Sequence, residues 1–247
     1  MSLKIGQKLF KNYSINFSLP RRDKKLIKFI IIHYTGMKKE SEAIKRLSDS
    51  NSNVSSHYFI KNNGELISLV PDLYIAWHAG KSRWKKFKSL NRYSIGIEIN
   101  NPGHKNGYRN FSKKQISSLQ KLLKYLIKVY NVNFKNVLGH SDIAPSRKKD
   151  PGEKFPWKKL SKKKLCLWHH LPEKKIKKHR KVNIKPIEQK QFIKNLSKIG
   201  YFEKELIKIS KNKRNLISAF QRRFRQKLIN GKIDKECLLI SKSLIKS

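Results

Sequence analysis

The stretch KFIIIHYTG, residues 28–36, decides the fold because its apolar run is continuous. A half-exposed strand would alternate apolar and polar residues, whereas an unbroken run predicts a strand that is buried on both faces. The apolar part ends at His33, where polar residues and a glycine follow. We therefore predict a central strand whose end opens at a site, with His33 at that point.

Two further segments predict neighbouring strands. SSHYFIKNNGELISLV, residues 55–70, contains two β-rich runs around Asn-Asn-Gly, and these turn residues tolerate the positive φ of a tight hairpin. YSIGIEI, residues 93–99, alternates with a period of two, which places its isoleucines on one face and Gly96 and Glu98 on the other. The Glu98 carboxylate is thus predicted to point away from the aliphatic packing.

A helix and one more strand complete this domain. From Ser112 to Tyr130 the apolar residues follow three-and-four spacing, and Ser112 with Gln115 forms a capping-box pattern. FKNVLGH, residues 134–140, then predicts a short buried strand that ends at His140. The predicted fold class is α/β, with a mixed central sheet flanked by helices, and we place this domain at residues 1–170.

The remaining chain predicts a linker and a small helical domain. Residues 171–186 are rich in lysine, poor in apolar residues and have a proline near each end, which is typical of a basic linker. Residues 187–202 and 216–231 carry apolar residues at helical spacing, and each segment ends near a glycine. We therefore predict a small all-α domain at residues 187–247.

The charge of the chain is extreme. Lysine and arginine number 59 against 16 acidic residues, a formal net charge of +43. Dense positive charge would neutralise nucleic-acid phosphates, but it would equally attract anionic cell-wall polymers. The lysines are scattered along the chain, and neither an RNA-binding aromatic signature nor a helix-turn-helix pattern accompanies them. Charge alone does not identify the substrate, and a nucleic-acid partner is not expected.

The two cysteines and residues 1–20 give information on the cellular location of the protein. Cys166 and Cys237 are far apart and in no CxxC arrangement, which predicts two free thiols. Residues 1–20 contain no apolar segment typical of a signal peptide, and the longest apolar run, FIII, is too short to span a bilayer. We expect no membrane insertion and favour a cytoplasmic location, with periplasmic or cell-wall association as the alternative.

Three residues are candidates for a metal site. Catalytic zinc takes three protein ligands from His, Cys, Asp or Glu and leaves its fourth position to water. His33 and His140 each close a predicted buried strand, where side chains are held rigidly, and Asp150 follows in the same polar stretch as His140. The alternative is that His33 is a hydrogen-bonded polar residue at a strand end and Asp150 a turn residue before Pro151.

Several blocks of this sequence resemble a known family. FIIIHYTG, VSSHYFI followed by NGELISLVPD, AWHAG, SIGIEI and above all GHSDIAPSRKKDPGEKFPW occur in this order within residues 27–170. They resemble the signature blocks of zinc-dependent N-acetylmuramoyl-L-alanine amidases of the type 2 family. That family shares its fold with phage lysozyme-like amidases and animal peptidoglycan-recognition proteins, so the resemblance implies that fold here.

The resemblance implies a role for five residues. By position, His33, His140 and Asp150 correspond to the family's zinc ligands. Glu98 corresponds to its proton-transferring residue, and Lys148, two positions before the ligand Asp, to a residue that stabilises the transition state. The implied cofactor is Zn²⁺, and the implied reaction is hydrolysis of the amide between the muramic acid lactyl group and L-alanine.

Departures from the family pattern narrow the subtype. Phage-like members have Tyr just before the second-block His and Cys as third ligand, whereas this chain has Ser56 and Asp150. It therefore resembles the bacterial branch with an Asp ligand. A rival hypothesis is a catalytically inactive peptidoglycan-recognition protein, which would usually lack a ligand or the catalytic carboxylate. The chain retains all three residues that correspond to the zinc ligands, and it also retains Glu98.

Other polar residues near these motifs have less specific interpretations. Trp77 and His78 are candidate substrate contacts, although His57 and His78 equally fit hydrogen-bonded structural residues. Arg147 is a candidate for binding a stem-peptide carboxylate, with a solvated position as the alternative. The two other charged residues of this stretch are interpreted as ordinary loop residues, namely Asp142 and Lys149.

The tail weakly resembles a second family. LISAFQRRFRQKLINGKIDKECLLISKSL, residues 216–244, is similar to the second half of the three-helix peptidoglycan-binding module, and FIKNLSKIGYF to its first half. The glycine-rich segment between the halves is replaced by EKELIKISKNKRN, so a purely structural helical appendix is the alternative. We expect a monomer that acts on peptidoglycan or muropeptides, and the sequence leaves anhydromuropeptides and intact sacculi equally open as substrates.

Overall fold

The protein is described by a computed structural model that covers residues 13–201 and 210–246. By its internal contacts the chain divides into two compact units, Met1–Gly80 with Ser89–Leu138 and Lys81–Lys88 with Gly139–Ser247. The first residues, from which the absence of a signal peptide was predicted, lie largely outside the described part, as does most of the segment EKELIKISKNKRN. No helix within the described ranges is long and apolar enough to cross a membrane.

Nine strands occur in the described residues. In chain order they are β1 (Phe17–Ser18), β2 (Phe29–Tyr34), β3 (Tyr58–Ile60), β4 (Leu66–Ser68), β5 (Ile75–Ala76), β6 (Arg83–Trp84), β7 (Phe87–Lys88), β8 (Ser94–Ile99) and β9 (Val137–Gly139). Five of them form the main sheet, in the order β4-β3-β8-β2-β9. The pairs β1–β5 and β6–β7 are separate two-stranded sheets.

The main sheet is mixed, as predicted. β2 and β8 run parallel, β3 runs parallel to β8, and β4 is antiparallel to β3. β2 lies between two other strands, and the five residues from Phe29 to His33 are all buried. This confirms the central strand that the unbroken apolar run predicts, because only a strand covered on both faces can bury consecutive side chains.

The register of β8 also agrees with its sequence pattern. Ile95, Ile97 and Ile99 are all fully buried. Glu98, on the opposite face, is partly exposed. Since alternate residues of a strand face opposite sides, the carboxylate points away from the isoleucine side, as predicted.

The predicted hairpin forms at residues 58–68. Tyr58 pairs with Ser68 and Ile60 with Leu66, and the chain turns at Asn62 and Asn63. The face of this hairpin that carries Phe59 is covered by a short helix, and the buried apolar cluster there contains Ala43, Leu47, Phe59, Ile67 and Leu69.

The α-helices of the described residues vary widely in length. In chain order they are α1 (Glu40–Ser48), α2 (Lys113–Tyr130), α3 (His140–Ile143), α4 (Trp157–Ser161), α5 (Glu173–Lys177), α6 (Pro186–Ile199), α7 (Ser210–Phe224) and α8 (Lys235–Leu244). The longest, α2, begins and ends where its sequence predicts. The Gln115 backbone N–H donates to Ser112 Oγ at 3.1 Å, and the Ser112 N–H donates to Gln115 Oε1 at 2.9 Å. This reciprocal capping box satisfies two of the backbone donors that a helix start leaves without intrahelical partners.

The C-terminal helices differ from the prediction at one end. α6 ends before Gly200, as predicted, but α7 ends at Phe224 and does not continue to Gly231. The reason is a side-chain interaction: Gln221 Oε1 accepts hydrogen bonds from the backbone N–H groups of Asn230 and Gly231. These bonds stabilise a turn after the helix, and Gly231 adopts the positive φ of 67° within it.

The stretch at residues 171–186 is packed against α8. It contains α5, whose Ile176 is buried. The Arg180 guanidinium donates to both carboxylate oxygens of Glu236, each at 2.7 Å. The richness in lysine hides these contacts in the sequence, because only two buried isoleucines, Ile176 and Ile184, and one arginine anchor an otherwise polar segment. The division of the chain into a catalytic domain, a linker and a binding domain stays a prediction.

Candidate metal and catalytic site

His33 lies buried near the end of β2, and a chain of hydrogen bonds supports it. Its Nε2 lies 3.0 Å from His78 Nδ1, and His78 Nε2 lies 3.2 Å from Ser94 Oγ. The Ser94 hydroxyl donates its one hydrogen to the Leu90 carbonyl oxygen at 2.6 Å. Ser94 therefore accepts from His78, His78 accepts from His33, and the lone pair of neutral His33 is on Nδ1.

This series of hydrogen bonds holds His78 in a structural position. Both of its ring nitrogens are engaged, and the ring is buried against Gly96. A Cβ on Gly96 would lie 2.4 Å from the Cγ atom of His78, so only glycine leaves room for the imidazole there. The arrangement agrees with the structural alternative for His78. The outer partner of a metal-binding histidine commonly fixes its tautomer and orientation in this way.

His57 is also a structural residue of this unit. Its Nδ1 accepts a hydrogen bond from the Gly96 N–H at 2.9 Å, and its Nε2 lies 3.1 Å from the Tyr74 carbonyl oxygen. Burial, and then the nearby charge of Arg22, lower the pKa of His57 well below its ordinary value. His57 is therefore neutral, and it holds the backbone of β8 two residues before Glu98.

Trp77 is half-buried in the same unit. Its indole Nε1–H donates to Ser18 Oγ at 2.8 Å, and its backbone N–H donates to Ser55 Oγ at 2.8 Å. These bonds fix the orientation of the ring. A role of Trp77 in binding substrate stays a prediction.

His140 and Asp150 come together within the second unit. His140 is the first residue of α3, immediately after β9, so it begins a short helix and is not part of the strand. Its Nδ1 lies 3.0 Å from Asp150 Oδ2, and the Ser141 N–H donates to the Asp150 carbonyl oxygen at 2.8 Å. The chain between them thus forms a closed turn that presents an imidazole and a carboxylate side by side.

The basic residues of this turn have different environments. Arg147 donates from Nε and Nη2 to the Lys81 carbonyl oxygen at 2.9 and 2.8 Å, and its Nη2 lies 3.3 Å from His140 Nε2. Burial lowers the pKa of Arg147 from its usual value, with Asp150 opposing the shift. Lys148 is half-buried, and Lys149 is exposed, as expected of a solvated charge.

The prediction that Asp142 is an ordinary loop residue is wrong. It is buried, its Oδ1 accepts from the Tyr201 hydroxyl at 2.6 Å, and its Oδ2 forms an ion pair with Arg223. Oδ2 also accepts from the Gly139 N–H at 2.8 Å, which caps the start of α3. The available sequence signal was an acid at the third position of a helix, but nothing local indicated partners in the C-terminal helices.

The structure also contains an aromatic cluster near the end of β2 that the sequence does not reveal. The Tyr34 hydroxyl lies 2.9 Å from His104 Nδ1, and the rings of His104 and Tyr108 stack with centroids 4.4 Å apart. All three side chains are half-buried. Tyr34 directly follows His33, but the loop that carries His104 and Tyr108 has no motif that would reveal the contact.

The three predicted ligands converge. One atom each from His33, His140 and Asp150 lies within 4.8 Å of the others, and all three residues are buried. Two imidazole nitrogens and one carboxylate oxygen are a donor set that zinc accepts in catalytic sites, where the fourth position stays open. The lone pair on His33 Nδ1 further fits a metal ligand. These residues therefore form a candidate metal site.

Comparison with known proteins agrees with this geometry. A family model described as N-acetylmuramoyl-L-alanine amidase matches residues 22–153. The chain is 34% identical over 231 residues to the N-acetylmuramoyl-L-alanine amidase AmiD of Escherichia coli, an alignment that covers 89% of this chain and 82% of that protein.

Two solved structures are similar over almost the whole chain. One is E. coli AmiD in complex with the substrate anhydro-N-acetylmuramic acid-L-Ala-D-gamma-Glu-L-Lys, with a TM-score of 0.79, 32% identity and coverage of 93% of this chain and 91% of that one. The other is AmpDH3 of Pseudomonas aeruginosa in complex with anhydromuramic pentapeptide, with a TM-score of 0.78, 26% identity and coverage of 99% and 98%. The mixed sheet with its C-terminal helices thus has the fold of these amidases, and the chain belongs to the N-acetylmuramoyl-L-alanine amidase family.

Proposed function

We propose that this protein is a zinc-dependent amidase that cleaves the amide between the lactyl group of muramic acid and the L-alanine of the stem peptide. The observation that carries the proposal is the convergence of His33, His140 and Asp150, three buried ligands of the kind that catalytic zinc uses. A zinc ion held there would lower the pKa of a bound water and polarise the scissile carbonyl group.

Glu98 is proposed as the residue that moves the proton. Its Cα is the register partner of His33 in the parallel pair β2–β8, so the two side chains leave the sheet on the same face. A carboxylate there accepts a proton from the attacking water while the new C–O bond forms. It then delivers that proton to the amide nitrogen as the C–N bond breaks, so one group acts first as base and then as acid.

Lys148 is proposed to stabilise the charge that develops on the carbonyl oxygen. Its backbone N–H donates to the Ala144 carbonyl oxygen at 3.0 Å, which holds this part of the His140–Asp150 turn. Removal of one donor to a developing oxyanion typically costs about 10²- to 10³-fold in rate. The assignment of the Lys148 ammonium group to this task is based on its position two residues before Asp150, which corresponds to the family pattern.

The proposed substrates are anhydromuropeptides. The similar AmiD and AmpDH3 structures each contain an anhydromuramic acid peptide. A net charge of +43 would attract acidic stem peptides, on free muropeptides and on cell-wall polymers alike, because a positive field raises the local concentration of anions. The predicted monomeric state and cytoplasmic location are part of this proposal, and both are open to direct measurement by light scattering and cell fractionation.

The reaction is tested with the full-length protein on anhydromuropeptides and, in parallel, on whole sacculi. Mass spectrometry should detect free stem peptide and the matching sugar product. A chelator should abolish release, and added Zn²⁺ should restore it. Cleavage that survives complete removal of the metal would overturn the zinc mechanism, and substrate binding without cleavage in the presence of zinc would favour the peptidoglycan-recognition alternative.

A further inference from the structure

We propose that Arg223 and Tyr201 in the C-terminal region are positioning residues, which act through Asp142 to hold the turn that presents the ligands His140 and Asp150. This inference rests on the metal site of the proposed function. The C-terminal helices would then help to assemble that site, and this role does not depend on whether they bind glycan.

Asp142 is the point where three segments meet. It lies in the first turn of α3, two residues after His140. Its carboxylate receives the Gly139 N–H, the Tyr201 hydroxyl and the Arg223 guanidinium. The first donor belongs to the end of β9, the second follows α6 and the third lies in the last turn of α7.

The cluster is buried, so its geometry is tightly determined. Only 2% of Asp142 and 2% of Arg223 are exposed. Burial alone would lower the pKa of Arg223, but the charge and hydrogen bond of Asp142, together with the nearby Tyr201 and Cys166, outweigh burial and raise the pKa. Burial, and then the Asp142 charge, raise the pKa of Tyr201 well above its ordinary value, so its hydroxyl keeps the hydrogen that it donates. Separation of these side chains would leave a buried charge unpaired, which costs free energy, so the three side chains are held in one arrangement.

Arg223 also contacts the far end of the same turn. Its guanidinium lies over the Trp157 ring, 4.4 Å from the centroid. A Cβ on Gly139 would meet Pro151 Cδ at 2.7 Å and the Trp157 ring at 3.3 Å, so the two ends of the stretch 139–157 pack against each other. Pro151 directly follows the ligand Asp150. Arg223 thus holds the turn near both of its ligands.

Tyr201 is itself held in place. Its ring packs edge-on against Trp84, with centroids 4.8 Å apart, and the Lys85 N–H donates to the Gly200 carbonyl oxygen at 2.8 Å. A Cβ at Gly200 would lie 2.3 Å from the Trp84 ring, so the backbone must pass close to the indole. The Tyr201 hydroxyl, which donates to Asp142, is therefore held in a fixed position by this packing.

Arg225 provides a matched control. It lies just beyond α7, is 3% exposed and forms buried ion pairs with Asp234 and Glu236. Both partners belong to the start of α8 and its cap, and neither belongs to the turn at residues 139–157. Removal of the Arg225 charge therefore disrupts an equally buried pair in the same helices without touching Asp142.

The test compares four variants, Asp142→Asn, Arg223→Gln, Tyr201→Phe and Arg225→Gln. Zn²⁺ affinity is measured by competition with a chromophoric chelator, the coordination environment by the visible spectrum of the Co²⁺ form, and activity as separate kcat and KM values. Loss of an outer partner of a metal site typically weakens metal binding about 10- to 100-fold. Because Asp142 and Arg223 act through the turn that carries the ligands, we expect losses at the low end of that range, about 10-fold, for Asp142→Asn and Arg223→Gln, with a smaller loss for Tyr201→Phe. The lowered kcat should be accompanied by a nearly unchanged KM.

The control and the milder variants keep this test decisive. Arg225→Gln should lower the thermal unfolding midpoint but leave Zn²⁺ affinity and the Co²⁺ spectrum as in the wild type. If Asp142→Asn or Arg223→Gln does not fold, the test rests on two milder variants. Tyr201→Phe removes only one hydroxyl, and Arg223→Lys, which keeps the positive charge, should retain part of the Zn²⁺ affinity. Unchanged metal affinity in folded Arg223 and Tyr201 variants, or an equal loss in Arg225→Gln, overturns the inference. A wild-type protein that binds no zinc overturns the proposed function instead.

Discussion

His33 and Glu98 are register partners in the adjacent parallel strands β2 and β8. Paired residues of neighbouring strands face the same side of a sheet, so a candidate ligand and a candidate proton carrier project from one face. Two central strands provide a rigid support for both groups, and precise placement is what a site that activates water requires.

Replacement of Glu98 by Gln should separate metal binding from proton transfer. The amide is similar in size but is not a base, so kcat should fall by about 10²- to 10⁴-fold. Zn²⁺ affinity should change little, because Glu98 is not among the three converging ligands. Steady-state kinetics together with metal analysis check this, and a variant with full activity would remove Glu98 from the mechanism.

Replacement of Ser94 by Ala should weaken metal binding at a distance. The hydroxyl fixes the His78 tautomer, which in turn leaves the lone pair of His33 on Nδ1. We expect a loss of Zn²⁺ affinity of up to about 10-fold, at the low end of the range for outer partners of a metal site. Ser55→Ala is the control, since Ser55 is equally buried but bonds to Trp77 and Asn16. Equal affinities in the two variants would contradict the role of the hydrogen-bond chain.

Replacement of Lys148 by Ala should lower kcat by about 10²- to 10³-fold, because a donor to the developing oxyanion is lost. The adjacent Lys149→Ala variant should retain nearly full activity, since its exposed side chain has the position of a solvated charge. The pair removes the same charge from neighbouring positions. Similar kcat values for both variants would show that only the general positive field matters.

Stability should decrease in mild acid through His169. Burial lowers the pKa of His169 from 6.5 to about 4. Between these two values the unfolded chain binds a proton that the folded chain does not, so the free energy of unfolding falls as pH falls through this window. His57, whose pKa is also lowered, contributes in the same direction.

Denaturant unfolding between pH 7 and pH 4 tests this dependence. The slope of unfolding free energy against pH should be shallower in His169→Gln than in the wild type. His170→Gln is the control, because His170 is the exposed neighbour. A wild-type slope in His169→Gln would show that His169 is not the group that titrates.

Burial also explains the state of the two cysteines. Cys166 and Cys237 are free, as predicted, and burial raises the pKa of each thiol to about 12. Both are therefore protonated at neutral pH and poor nucleophiles, since the thiolate is the reactive form.

The sequence by itself determined the features that depend on local pattern. The apolar run before His33 specified the central strand, the alternation around Glu98 specified the face of its carboxylate, and the Ser112–Gln115 pair specified the start of α2. Each follows from the periodicity of strands and helices or from hydrogen bonds within one turn. The ordered motifs likewise indicated the three ligands that the structure brings together.

Only the tertiary structure decided what depends on distant contacts. It placed His78 behind His33, ended α7 at Phe224 and paired Asp142 with Arg223. Partners 45 and 81 residues apart leave no periodic signal in a single sequence. Whether a polar residue is solvated or buried in an ion pair depends on what the folded chain packs against it. The sequence around Asp142 is therefore consistent both with a solvated loop residue and with a buried residue in an ion pair.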